Sequence, residues 1–195
     1  ITEVSLVNTH TLKVGASGYA TLMLGYNATI PTGATCYKAM ANGTYATLTA
    51  IEGTLAANTA VVVKAEADDY VFEPVDYASA VEGNELLGTL STKSINPESG
   101  TTCYVLAKPE GQEVGFYRAT LTDGSFLNTA NKAYLPVTAA AAARFISFDF
   151  GTETGIDELK AENGNLKTET FDLAGRRVQG AQKGIFIVNG KKVIK

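Results

Sequence analysis

Nine brief runs of β-branched and aromatic residues, each closed off by Gly, Pro, Asn or Asp, leave this chain little choice but extended strands. They are Thr21 to Leu24, Tyr37 to Met40, Thr44 to Ile51, Ala60 to Lys64, Tyr70 to Phe72, Cys103 to Ala107, Val114 to Arg118, Lys132 to Val137 and Phe145 to Phe150. In Thr44 to Ile51, Ala46, Leu48 and Ala50 alternate with Tyr45, Thr47 and Thr49, the period of two that puts one face in a core and the other toward solvent. No long amphipathic helix competes. Asn42-Gly43 and Asp123-Gly124 carry hairpin-turn chemistry, and Pro109-Glu110-Gly111 reads as a further turn. The expectation is an all-β protein, with residues 1–152 forming a β-sandwich and 153–195 a small β appendage. Gly151 to Gly155 serves as the linker, and Ala139 to Ala143 as a connection into the Phe145 strand.

The body also echoes itself. Thr35-Cys36-Tyr37 recurs as Thr102-Cys103-Tyr104, and Ala57-Asn58-Thr59-Ala60-Val61 recurs as Ala130-Asn131-Lys132-Ala133-Tyr134. The offset grows from 67 to 73 residues, which places an added loop in the second copy around Leu121 to Leu127. A unit of four or five strands cannot bury its own apolar face, so two related halves packed face to face make a sandwich core.

The C-terminal segment has its own grammar. Asn189-Gly190 tolerates the two positive φ angles of a two-residue hairpin, which pairs Val188 with Lys191, Ile187 with Lys192, Phe186 with Val193 and Ile185 with Ile194. Leu166 to Val178 reads as another pair of extended segments bent at Ala174-Gly175, giving three or four strands in all. After Asp172 the chain holds six basic residues and no acidic one. That run is read as a solvated strand edge guarded by Lys and Arg rather than as a surface for nucleic acid or membrane.

Composition narrows the class. At 195 residues, with 45% apolar and 18% charged, the chain is a folded globular protein. No apolar run reaches the roughly 20 residues of a membrane-spanning helix. Ile1 is neither an initiator Met nor part of a signal peptide, which points to a processed or truncated start. The net charge of −4 is carried by the body, where 14 acidic residues face 8 basic ones, and this argues against nucleic-acid binding.

Chemistry-bearing residues are sparse. His10 is the only histidine, so any Ser-His or Cys-His relay would have to be built on it, in a peripheral Thr-rich segment. Asp68, Asp69, Glu73 and Asp76 cluster near one strand, where Asp68-Asp69 reads as a turn before Tyr70 and not as half of a hydrolytic acid pair. Two isolated Cys and one His lack the close ligand spacing of a zinc site. No catalytic, cofactor-binding or metal-binding residue is assigned, no cofactor is expected, and the reading is a non-enzyme. Cys36 and Cys103 occupy equivalent places in the two halves: they are either bridged as a disulfide or buried separately as small hydrophobes. Nine Tyr and eight Phe leave room for an exposed ring platform, although Tyr37 and Tyr104 sit in strand patterns that favour burial.

The tail motif carries a resemblance. Asp172-Leu173-Ala174-Gly175-Arg176-Arg177-Val178, a spacer, Gly184-Ile185-Phe186-Ile187-Val188, the Asn189-Gly190 turn and terminal Lys191-Lys192-Val193-Ile194-Lys195 together resemble the C-terminal tail of many secreted and surface proteins of the Bacteroidetes. The segment, about residues 155–195, is similar to the type IX secretion sorting domain. The body resembles a module of unassigned function found upstream of such tails, most clearly at Gly18-Tyr19-Ala20-Thr21-Leu22 and Asn131-Lys132-Ala133-Tyr134-Leu135. These resemblances imply an exported or cell-surface protein with a structural or presenting role. The alternative is an adhesion-type module with a protein or glycan partner, and a third reading is an accessory domain of a secreted hydrolase.

Overall fold

The computed structural model describes residues 9–138 and 143–151, together with strand residues 170–171, 177–178, 185–188 and 191–194. Among them there are strands and no helix. In chain order these are β1 (His10–Lys13), β2 (Tyr19–Met23), β3 (Ala28–Thr29), β4 (Ala34–Asn42), β5 (Tyr45–Ile51), β6 (Thr54–Leu55), β7 (Ala60–Ala65) and β8 (Asp69–Phe72). Then follow β9 (Leu87–Thr89), β10 (Lys93–Ile95), β11 (Thr102–Ala107), β12 (Gly115–Arg118), β13 (Phe126–Asn128), β14 (Lys132–Val137) and β15 (Phe145–Asp149). The C-terminal strands are β16 (Thr170–Phe171), β17 (Arg177–Val178), β18 (Ile185–Val188) and β19 (Lys191–Ile194). The chain divides into two compact units, Ile1–Glu153 and Thr154–Lys195. The protein is all-β, as the strand periodicity requires.

One nine-stranded sheet forms the body, in the order β2-β7-β4-β5-β15-β12-β11-β14-β9. The apolar faces of the two halves do pack against each other, as opposite walls of one rolled sheet. The junction is β15, which is antiparallel to β12 and parallel to β5. On the far side the roll is stitched by polar contacts. Met23 N donates to Asn131 O at 3.0 Å, the Asn131 side-chain amide donates to Met23 O at 2.8 Å, and Ala133 N donates to the buried Thr21 hydroxyl at 3.1 Å. Gly88 lets β9 come this close to β2, since a Cβ there would stand 2.7 Å from Met23 Sδ and 3.0 Å from Lys132 O.

Three apolar clusters fill the layers. Between the walls lie Leu48, Val62, Tyr104, Phe116, Leu135 and Ile146. Outside the first wall, Leu22, Cys36, Val61 and Val63 meet Leu12 and Phe72 from the β1–β8 pair and Leu55 from the β3–β6 pair. Outside the second wall, Cys103, Ala119 and Tyr134 meet Phe126 and Ile95 of the β10–β13 pair. Because β7 has apolar neighbours on both faces, Ala60-Val61-Val62-Val63 reads as a continuous apolar run rather than an alternating one. Each such full burial of a Val, Leu or Phe is worth about 1.5–3 kcal/mol.

The internal echo is a repeat of topology. The order β2-β7-β4-β5 with β3–β6 outside it matches β9-β14-β11-β12 with β10–β13 outside it. Cys36 is paired with Val63 and Cys103 with Pro136, the same register in each half. The extra length of the second copy lies between β12 and β13, where a Thr122–Ser125 bridge closes a turn with Asp123 at φ 50 and Gly124 at φ 77. That is the two-residue geometry the Asp-Gly pair favours. At the first hairpin the turn falls one residue later than its Asn-Gly signal: Asn42 still pairs with Tyr45, and Gly43 takes the positive φ.

In the second unit the sheet order is β17-β16-β18-β19. The register expected from the sequence is found: Ile185 with Ile194, Phe186 with Val193, Ile187 with Lys192 and Val188 with Lys191. Arg177 lies on β17, and Lys191 and Lys192 on β19. Asp172, Gly175, Arg176, Gly184, Asn189 and Gly190 of the sorting-like motif, most of the alanine run and most of the linker lie outside the described residues.

Candidate functional site

At one mouth of the body, strand ends bring together rings that are far apart in sequence. Tyr19 opens β2, Tyr37 lies near the start of β4, Lys64 near the end of β7, Phe148 near the end of β15 and Phe150 just beyond it. The alternation of β15 turns Phe148 and Phe150 to the same side. Phe116, fully buried, meets Phe148 edge-on at 5.4 Å; Phe148 meets Tyr19 at 5.4 Å and Phe150 at 6.3 Å; Phe150 meets Tyr37 edge-on at 5.3 Å. The rings form a path from core to surface. The Lys64 ammonium sits over it, 4.8 Å from the centre of Phe150 and 5.9 Å from that of Tyr19, a cation–π placement.

Three shallow hollows flank this path. One of about 460 Å³ lies beside Tyr19, Phe148 and Phe150, with Lys108, Gln112 and Glu113 on its rim. Two of about 430 and 400 Å³ lie beside Tyr37 and Lys64. All three offer half-buried rings with polar rims, the composition of a contact surface for a ligand with both apolar faces and hydroxyl groups. Sequence reasoning assigned no binding residue here and read Tyr37, which is half-buried, as a ring that favours burial. The legible signal was the Phe148/Phe150 spacing of two, while its partners on β2, β4 and β7 depend on the roll of the sheet.

The cysteines take the second of their two readings. Both are free and buried, Cys36 in the cluster outside the first wall and Cys103 in the cluster outside the second. Equivalent positions in the repeat place them in different layers, so the disulfide is not formed. Burial pushes the Cys36 thiol up to about 12 and raises that of Cys103, which makes both poor nucleophiles.

His10 lies on β1 opposite Phe72, within electrostatic reach of Lys132 of β14. Burial first, and then the Lys132 charge, lower its pKa from 6.5. A cationic neighbour favours the neutral ring and supplies no orienting carboxylate. Of the acidic residues near β8, Asp68 uses its carboxylate to accept from Asp69 N, as a turn before Tyr70 would, while Asp68, Glu73 and Asp76 accept from Val14 N, Thr29 N and the Asn27 amide through their backbone carbonyls. Among the described residues, no three of His, Cys, Asp and Glu gather as a metal site would require. Tyr104 is a core residue whose hydroxyl donates to Ala143 O at 2.8 Å.

The chain matches no family model, no curated protein and no solved structure. What it displays by itself is an all-β body built from a doubled unit, followed by a four-stranded β unit. No helix among the described residues is long and apolar enough to cross a membrane.

Proposed function

We propose that this protein is a non-catalytic module of an exported or cell-surface protein, with a structural or presenting role. The observation that carries the reading is the closed body. Its two walls share one core, its sheet edges are stitched at Met23 and Asn131, and no buried side-chain polar atom among the described residues lacks a partner. Such a body holds a surface in place without needing to move. Export is supported by the resemblance of the tail to sorting domains. The test is location: antibodies against the body should label intact cells of the source organism, and protease added outside should remove the signal. Label only after lysis would overturn the reading.

A second reading, a glycan- or protein-binding module, is favoured by the aromatic mouth. Stacking rings of Tyr19, Tyr37 and Phe150 under Lys64 suit the apolar face of a sugar or a partner's side chains. A glycan array should give saturable binding that Tyr37→Ala abolishes, and an array without such binding removes the glycan form of this reading.

A further inference from the structure

A further hollow lies elsewhere, beside β12 and β15. It is about 660 Å³ and is lined by Arg118, Arg144, Tyr117, Phe145, Gln112 and Thr120, among others. The ladder that pairs Phe116 with Ile146 and Tyr117 with Phe145 continues one step, where Arg118 N donates to Arg144 O at 3.1 Å. Arg118 at the end of β12 and Arg144 just before β15 therefore stand opposite each other. Like charges in that relation destabilise a sheet unless something lies between or beside them. Among the described residues neither forms an ion pair, in a body where 14 acidic side chains outnumber 8 basic ones. Both arginines are exposed.

The surroundings say what kind of anion fits. Tyr117 and Phe145, one step back in the ladder, turn to the opposite face of the sheet, where their tilted rings lie 4.8 Å apart and leave the arginine side to polar neighbours. Gln112 and Thr120 bring neutral hydrogen-bonding groups. Guanidinium forks match carboxylate or sulfate oxygens in pairs, and the amide and hydroxyl suit ligand hydroxyl groups. An acidic body repels long polyanions, so a nucleic acid is a poor occupant.

We infer that the Arg118–Arg144 hollow is a binding site for an acidic saccharide, whose carboxylate or sulfate lies between the two guanidinium groups and whose hydroxyl groups meet Gln112 and Thr120. The site is separate from the aromatic mouth, with Gln112 bordering both hollows, and it stands whether or not the protein is exported.

The test is titration calorimetry on the full chain. The probes are a uronic-acid tetrasaccharide, a neutral tetrasaccharide of the same linkage, and sodium sulfate. Saturable, salt-sensitive binding of the acidic sugar, weakened about tenfold or more for the neutral one and for the protein carrying both Arg118→Ala and Arg144→Ala, supports the site. Binding unchanged in that variant, equal binding of the neutral sugar, or no binding of the acidic one overturns it. Sulfate alone binding as tightly as the sugar also overturns the saccharide assignment. Thermal melting separates a ligand site from a structural one. Arg144→Gln relieves the repulsion and should melt at the same or a higher temperature, whereas a fall of several degrees would make the arginines structural and sink the inference.

Discussion

Asn58 and Asn131 are the same residue of the repeat in two copies. Both have φ near 60, and each donates its backbone N–H to the strand beside it, Asn58 to Leu24 O at 2.6 Å and Asn131 to Thr89 O at 2.7 Å. Only Asn131 also uses its side chain to hold β2, through the bond to Met23 O. The backbone demand is common to both copies and the closing role belongs to one.

Substitution by glycine should separate those two roles. Glycine meets the positive φ, so Asn58→Gly should change stability by no more than about 0.5 kcal/mol. Asn131→Gly keeps the backbone but deletes the closing hydrogen bond, at a cost of about 1 kcal/mol, and Asn131→Ala adds left-handed strain for a total of about 2 kcal/mol or more. Urea unfolding of the three variants measures the order. Equal losses at Asn58 and Asn131 on going to glycine would show that the closing bond contributes nothing.

The free thiols predict a labelling pattern. Cys36 is fully buried and Cys103 nearly so, and burial raises both pKa values, so a thiol reagent at pH 8 should label neither in the native protein. In denaturant both should react without any reductant. Labelling that requires reductant as well as denaturant would restore the disulfide and contradict the placement of the two residues in separate layers.

How far the residues announce this fold depends on what each strand touches. The nine runs found by alternation and β-branching correspond to β2, β4, β5, β7, β8, β11, β12, β14 and β15, the strands that build or flank the main core. The strands that were not legible are β1, β3, β6, β9, β10 and β13, all four residues or shorter. Leu87-Gly88-Thr89 has one exposed and one buried large residue around a glycine, a pattern that means a strand only once Met23 lies against it. The tail register followed from one dipeptide because a two-residue turn fixes every pair behind it. The aromatic mouth and the arginine hollow were hidden for a different reason. Their members come from separate strands, and the closeness of β15 to both β5 and β12 is a fact of topology that no local pattern encodes.

Gly115 tests the packing of β15 on β12. A Cβ built there would lie 2.3 Å from Phe145 Cε2 and 2.8 Å from Ile146 O. The ring can rotate at some cost to its stacking with Tyr117, but the carbonyl belongs to the ladder and cannot retreat without loosening it. Gly115→Ala should therefore lower stability by about 1–3 kcal/mol. Combining it with Phe145→Ala removes the ring clash and leaves the backbone one, so the two losses should be less than additive. Denaturant midpoints that are unchanged in Gly115→Ala would show β15 to be further from β12 than described.

His10 gives the body a pH dependence whose sign is fixed. Its pKa in the folded protein lies below 6.5, through burial first and the Lys132 charge second. As pH falls through 6.5 the unfolded chain takes up a proton that the folded protein resists, so the unfolded state binds more protons and stability decreases. The contribution is complete above 6.5, declines as pH drops toward the folded pKa, and is flat below it. His10→Gln should remove this decline, so the gap between variant and native melting temperatures should move in the variant's favour on going from pH 7.5 to pH 5. Lys132→Met should shrink the native decline without abolishing it, because burial is the larger cause. An NMR titration of the His10 ring gives the folded pKa directly. A value above 6.5, or a native protein that gains stability relative to His10→Gln as the solution is acidified, would mean that His10 is not held in the partly buried place, facing a cation, that β1 gives it.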